Sequence, residues 1–266
     1  MTTQSQKLSE KITTLYSEGR TLIDDSSQSE GILKMAISQT VLPYATQKIS
    51  AIGGTIRHVP RMTLYEQQEY FQKVGGPAPN PENKRVYMQP DGGIIIATID
   101  GQDYPILIPE DKVQGTNDHL FTQGKKKQST GNAIERGAKN IRGAEMIFAS
   151  RTTFPYVIFA SGCDFHHSET ISKRLEMMNH GVPNRYIEIT PESTPEQTEI
   201  ELQALISSIN VRKINGFFSN APIFVKAHKF DQMPNGSSRW NMEQISNICC
   251  RIIDQVVDEL TVTLAK

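Results

Sequence analysis

The residues best suited to chemistry in this chain are a carboxylate in Pro90-Asp91 and a second carboxylate with a lysine in Glu110-Asp111-Lys112. Two carboxylates can hold a divalent cation such as Mg²⁺ through hard oxygen ligands. A lysine two positions after the second carboxylate can face the same phosphate, because alternate residues of a strand share a face. These are the residue types of a metal-dependent phosphodiesterase. Pro-Asp and Glu-x-Lys pairs are also common on solvated surfaces, so the pattern by itself leaves both readings open.

The elements that must position these residues form a hairpin-like unit. Ile94-Ile95-Ile96-Ala97-Thr98-Ile99 is β-branched and apolar, Asp100-Gly101-Gln102-Asp103 reads as a turn, and Tyr104 to Ile108 is a second apolar run leading to Glu110. Antiparallel pairing through that turn brings the start of the first strand, with Asp91, beside the end of the second, with Glu110 and Lys112. A shared metal requires that proximity. A surface hairpin with charged ends has the same pattern.

Further along, the hexapeptide Gly131-Asn132-Ala133-Ile134-Glu135-Arg136 opens a stretch with helical spacing. Ile134, Ala138, Ile141 and Phe148 fall near one face, while Arg136, Lys139, Asn140 and Arg142 populate the rest. A helix N-terminus aimed into a DNA groove would set Asn132 to Arg136 near bases and phosphates. An ordinary amphipathic helix with a solvated basic face fits the same spacing. Between strand and helix, Thr116 to Thr130 is polar and holds Gly124 and Lys125-Lys126-Lys127, a segment that can bury little. Its lysines read as a solvated charge run or as phosphate contacts.

Four segments, Gln89–Ile94, Ile106–Gly115, Gly131–Arg136 and Phe154–Phe159, together with Arg174-Leu175 running to Gly181-Val182-Pro183, carry a resemblance. In order and spacing the chain resembles the EcoRI family of type II restriction endonucleases, from about Arg85 to Pro183. The likeness implies a homodimer that cuts double-stranded DNA at a palindrome containing AATT, with GAATTC the first expectation. It implies that Asp91 and Glu110 are Mg²⁺ ligands, that Lys112 is the catalytic lysine, and that Asn132, Ala133, Glu135 and Arg136 read the inner bases. It makes residues 116–130, with Lys125, Lys126 and Lys127, a DNA-wrapping arm, and adds Lys139 and Arg174 to the DNA-binding set. A cognate methyltransferase acting on the same site is the implied partner.

Base chemistry agrees with these roles. Adenine offers N7 as acceptor and its amino group as donor in the major groove, so an asparagine can pair with it in bidentate fashion and a glutamate can accept from the amino group. Arg136 beside Glu135 offsets the repulsion between a carboxylate and phosphates. Mg²⁺ held by two carboxylates would polarise the phosphoryl oxygen and lower the pKa of the attacking water, and Lys112 would hold or help deprotonate that water and stabilise the pentacovalent phosphate. The products would carry 5′-phosphates. Two departures stand out: Asp111 occupies a place where the family has a small apolar residue, and of the family's outer arginine pair only Arg174 has an obvious counterpart. The outer base pair therefore stays open.

Composition sets the frame. A chain of 266 residues, 37% of them hydrophobic, is large enough for one sizeable α/β domain, and no repeat or domain boundary divides residues 1–266. Strands alternating with helical stretches give a sheet flanked by helices. The resemblance makes that sheet mixed and five-stranded, in the restriction-endonuclease manner. Helices are expected over Gln6 to Tyr16, Gly31 to Val41, Ile200 to Ile209 and Trp240 to Leu264, the last with Ile245, Ile248, Ile252, Val256 and Leu260 on one side, a stripe that suits the core first and a dimer face as the alternative. Ile223-Phe224-Val225 reads as a late strand, and Gly75 to Asn83 as a loop.

A net charge of −1 does not announce a generic nucleic-acid binder, but a sequence-specific enzyme needs only a local basic face. No apolar run approaches the length of a membrane helix, the N-terminus lacks the apolar core of a signal peptide, and Cys163, Cys249 and Cys250 form no metal-ligand spacing. A cytoplasmic enzyme is the expectation. His166-His167 near Cys163 reads as a loop after a strand rather than a zinc site. Two other classes compete. A catalytically inactive DNA-binding relative conflicts with the retention of Asp91, Glu110 and Lys112 together, and a repair or recombination nuclease gives Asn132 and Ala133 no purpose.

Overall fold

Three consecutive isoleucines, Ile94-Ile95-Ile96, are fully excluded from solvent at the heart of the molecule. A strand buried on both faces reads as a continuous apolar run, and each such side chain contributes roughly 1.5–3 kcal/mol of burial. The structure, a computed structural model, describes residues 31–113, 140, 141, 143–161, 173, 176, 200, 213, 214, 217, 218, 223–226 and 240–265.

The described strands are β1 (Thr55–Val59), β2 (Met62–Thr63), β3 (Tyr87–Met88), β4 (Ile94–Ile99), β5 (Gln102–Val113), β6 (Tyr156–Ser161), β7 (Lys213–Ile214), β8 (Phe217–Phe218) and β9 (Ile223–Lys226). Five of them form one sheet in the order β1-β4-β5-β6-β9. The β1–β4 and β4–β5 pairs are antiparallel, whereas β5–β6 and β6–β9 are parallel. The sheet is therefore mixed, as the sequence led us to expect.

Helices cover both faces. Residues 31–50 run as one helix, α1, with a π-helical turn at Ile37–Val41. α2 spans Leu64–Gln72 and is held at its start by a capping box between Thr63 and Glu66. Residues 140, 141 and 143–147 belong to α3. α4 spans Met242–Leu264 and begins with a capping box between Asn241 and Gln244. On one face α1 and α4 pack on Ile95, Ala97, Ile99, Val157 and Phe159. On the other, Ala144, Ile147 and Phe148 pack on Ile94, Ile96, Tyr156, Ile158 and Ala160. The stripe Ile245, Ile248, Ile252, Val256 and Leu260 lies in the first of these cores, as expected.

The hairpin differs from expectation in one instructive way. The β4–β5 turn is only Asp100-Gly101, both with positive φ (50° and 74°), and β5 continues unbroken through the charged triplet to Val113. A two-residue turn with both residues left-handed matches the twist of the strands, and Asp-Gly supplies it cheaply. Ile96 pairs with Pro105 but Ile95 pairs with Leu107, so Ile106 is an extra residue on β5. Ile106 and Leu107 both join the α1/α4 core, and Ile108 joins the other one. A β-bulge of this kind reverses the alternation beyond it. Without it, Glu110 and Lys112 would face α1 and α4; with it, they face the side of α3.

No helix among the described residues is long and apolar enough to cross a membrane. The expected helices over Gln6 to Tyr16 and Ile200 to Ile209 lie outside the described residues, Ile200 itself excepted, as do Cys163, His166 and His167.

Candidate active site

Asp91 sits in a tight turn that precedes β4. Gly93 N–H donates to Pro90 O at 3.0 Å and closes it, while Gly92 N–H donates to Pro109 O at 3.0 Å and ties it to β5. Only glycine fits at Gly92, where a Cβ would lie 2.6 Å from Pro109 Cγ and 2.9 Å from Pro109 O. Gly93 has φ +71°, and a Cβ there would lie 2.8 Å from Val59 O. The pair thus brings Asp91 against the end of β5.

The three residues singled out in the sequence do converge. Lys112 Nζ lies 2.9 Å from Asp91 Oδ2 and 2.5 Å from Glu110 Oε1, and donates to Asp111 O at 2.9 Å. Asp111 N–H also donates to Asp91 Oδ2, at 3.2 Å. Three oxygens from Asp91, Glu110 and the Asp111 backbone therefore surround one cationic nitrogen. The Asp111 side chain, by alternation along β5, belongs to the opposite face.

Burial grades the three. The Glu110 side chain is 2% exposed, Lys112 16% and Asp91 33%. Burial pushes the Glu110 carboxyl above the usual range, with the Lys112 ammonium pulling the other way. Burial alone would draw Lys112 down, but the Glu110 and Asp91 carboxylates outweigh it and hold the ammonium above the ordinary lysine value.

Two residues that the sequence did not single out complete the pocket. Asn140 Nδ2 donates to Glu110 Oε1 at 3.0 Å, and the Tyr156 hydroxyl donates to Glu110 Oε2. Asn140, which the helical spacing sets off the apolar face, is nonetheless 9% exposed and bound to a carboxylate. Ile141 and Phe148 do sit on the core side, so the periodicity held where side chains are apolar. An asparagine at a helix face carries no sign of its partner, and an Asn–Glu contact spanning thirty positions leaves none either. Tyr156 reads as one more core aromatic of a strand.

The donor set fits a hard divalent cation. Asp91 Oδ2, Glu110 Oε1 and Asp111 O are all oxygens, and they already share a positive charge. Among the described residues no group of three or more His, Cys, Asp or Glu is arranged to hold a metal. Two carboxylates completed by substrate phosphate and water are the usual ligands of Mg²⁺, which retains much of its hydration. The remaining residues singled out for DNA contact, Lys125, Lys126, Lys127, Asn132, Ala133, Glu135, Arg136, Lys139 and Arg174, lie outside the described residues, as does the arm at 116–130.

Comparison with curated proteins gives no match. A family model described as restriction endonuclease EcoRI matches residues 82–266, well over half of the chain and inclusive of Asp91, Glu110, Lys112, Asn140 and Tyr156. The chain belongs to the EcoRI family of type II restriction endonucleases, nucleases that hydrolyse DNA.

Proposed function

We propose that this protein is a Mg²⁺-dependent endonuclease that cuts double-stranded DNA at a palindrome containing AATT, GAATTC being the first candidate. Asp91, Glu110 and Lys112 are its catalytic residues. The observation that carries this reading is the convergence of Asp91 Oδ2 and Glu110 Oε1 on Lys112 Nζ, at 2.9 and 2.5 Å.

Asp91 and Glu110, with the Asp111 carbonyl, would hold the metal, which when bound neutralises phosphate charge and acidifies water. Glu110 is fixed on both oxygens, by Lys112 and Asn140 on one and Tyr156 on the other, so its orientation needs no rearrangement during the reaction. Lys112 would hold the attacking water or help deprotonate it and would stabilise the charge on the phosphoryl oxygens, a role supported by its contacts with Asp91 Oδ2 and Glu110 Oε1. Water oxygen bonds to phosphorus as the bond from phosphorus to the 3′ oxygen breaks, leaving a 5′-phosphate and a 3′-hydroxyl.

Recognition is assigned to Asn132, Ala133, Glu135 and Arg136, with Lys139, Arg174 and Lys125 to Lys127 contacting DNA around them. Two copies of the chain, one on each strand, match a palindromic site. A methyltransferase acting on the same palindrome is the corresponding partner, since the host's own sites need protection, and a cytoplasmic location suits both.

The test is to incubate the full chain with Mg²⁺ and plasmid of known sequence and to sequence the cut ends. Discrete fragments with 5′-phosphates ending at one AATT-containing palindrome support the proposal, and chelation of the metal stops them. Uniform degradation, or cleavage unaffected by chelation, defeats it.

A further inference from the structure

His58 lies on β1, outside the residues matched by the family, and reaches the turn that carries Asp91. Its Nε2 is 2.8 Å from Gly92 O. A carbonyl oxygen only accepts, so Nε2 must carry the hydrogen and the ring donates. The ring also fills the space beside Gly93, where a Cβ would lie 2.4 Å from His58 Nε2. Among the described residues β1 is the edge strand of the sheet at this end, and His58 is paired in register with Ile95, just past the turn.

The Asp91 turn has few other holds. Gly92 N–H is anchored to Pro109 O, and Asp91 Oδ2 to Asp111 N–H and Lys112. All of these lie on the β5 side. From the β1 side the strands pair at Val59 and Ile94, just past the turn, and His58 adds a side-chain hold that falls on the carbonyl of the residue next to Asp91. We infer that His58 is a positioning residue, one that fixes the Asp91 turn between β1 and β5 by its hydrogen bond to Gly92 O. This inference rests on the role proposed above for Asp91.

Gly92 is buried, so its carbonyl left without the His58 donor loosens the turn by an amount set by how far water can replace that donor. A misplacement of about 1 Å at reacting groups costs about 10²-fold in rate. Loss of the brace is therefore read in turnover and in local motion of the turn.

The experiment compares the full-length wild type, His58→Leu and His58→Gln. Leucine fills the space without a donor, and glutamine restores an N–H donor at similar reach. Amide hydrogen exchange of Gly92 and Gly93 is followed without metal or DNA, and kcat and KM are measured with Mg²⁺ and plasmid. The expected result for His58→Leu is about tenfold faster exchange at these two amides and a kcat lower by roughly 10–100-fold, with KM unchanged. His58→Gln stays near wild type on both. Unaltered exchange and turnover in His58→Leu overturn the inference, and so does a His58→Gln variant as impaired as His58→Leu. A wild type that fails to cut defeats the proposed function instead, while the exchange measurement still decides whether His58 holds the turn.

Discussion

The Arg151 guanidinium donates to the Pro105 carbonyl at 3.0 Å, one residue before the Ile106 bulge that turns Glu110 and Lys112 toward α3. Arg151 is 8% exposed and is itself held by Glu259 of α4, through Nε at 3.2 Å and Nη2 at 2.6 Å. Thr152 N–H, Thr152 Oγ1 and Thr153 Oγ1 donate to the same carboxylate. The C-terminal helix thereby clamps the start of β6 and the bulge of β5 together. Replacing Arg151 by alanine leaves a buried carboxylate short of its cation, so a loss of about 3–5 kcal/mol is expected in urea unfolding. A loss under 1 kcal/mol would show that the clamp is not structural.

The same clamp gives a pH dependence with a defined sign. Burial works against the Glu259 charge, but Arg151 and the two threonines outweigh it and pull the carboxyl down to about 2. A depressed folded value means that the stabilisation is present above the ordinary glutamate range and is lost as pH falls toward 2. Wild type should exceed Glu259→Gln in stability by roughly 2 kcal/mol near neutrality, and the gap should close between about pH 4.5 and 2. A gap that persists at pH 2 would contradict this.

Asn140 is expected to matter for cleavage because it donates to Glu110 Oε1 from a separate helix. Partners that orient a metal-binding carboxylate typically contribute 10–100-fold, so Asn140→Ala should lose about that much in kcat. Tyr156→Phe, which removes the donor to Oε2 while keeping the ring in its core, should lose turnover and about 1–3 kcal/mol of stability, since a buried carboxylate oxygen is left without its donor. Wild-type rates in both variants would mean that Glu110 needs neither donor.

Glu110 itself should separate function from stability. Its carboxyl is raised by burial, and a raised folded value means that its charge weakens the fold as pH rises through that value. Glu110→Gln should therefore unfold within about 1 kcal/mol of wild type at neutral pH, or later, while cleavage falls by about 10²–10³-fold or more. Thermal melts and a plasmid assay on one preparation check both. A large loss of stability would assign the carboxylate a structural task.

The three turn glycines give a graded comparison. Gly101 has φ +74° with open space around it, so Gly101→Ala should cost about 1–2 kcal/mol and spare cleavage. Gly92→Ala meets Pro109 and Gly93→Ala meets His58 and Val59 O, so both should remove cleavage by displacing Asp91. Equal activity in all three would detach the Asp91 turn from the site.

Much of the candidate site's arrangement was legible in the sequence alone, and the reason is local. β-Branched runs around Asp100-Gly101 specify a hairpin, a hairpin brings its two ends together, and alternate residues share a face, so Asp91, Glu110 and Lys112 follow from chain-neighbour physics. The apolar stripe of α4 was equally plain, because its period is that of a helix. Which face of the sheet receives the site was decided only by tertiary structure. It depends on the extra residue Ile106, on Arg151 reaching Pro105 O, and on α4 holding Arg151 from the far end of the chain. Asn140, Tyr156 and His58 escape a reading of the sequence for the same reason. Each meets its partner across tens of residues, and a polar side chain shows its role only when the fold removes water and leaves it one group to bind.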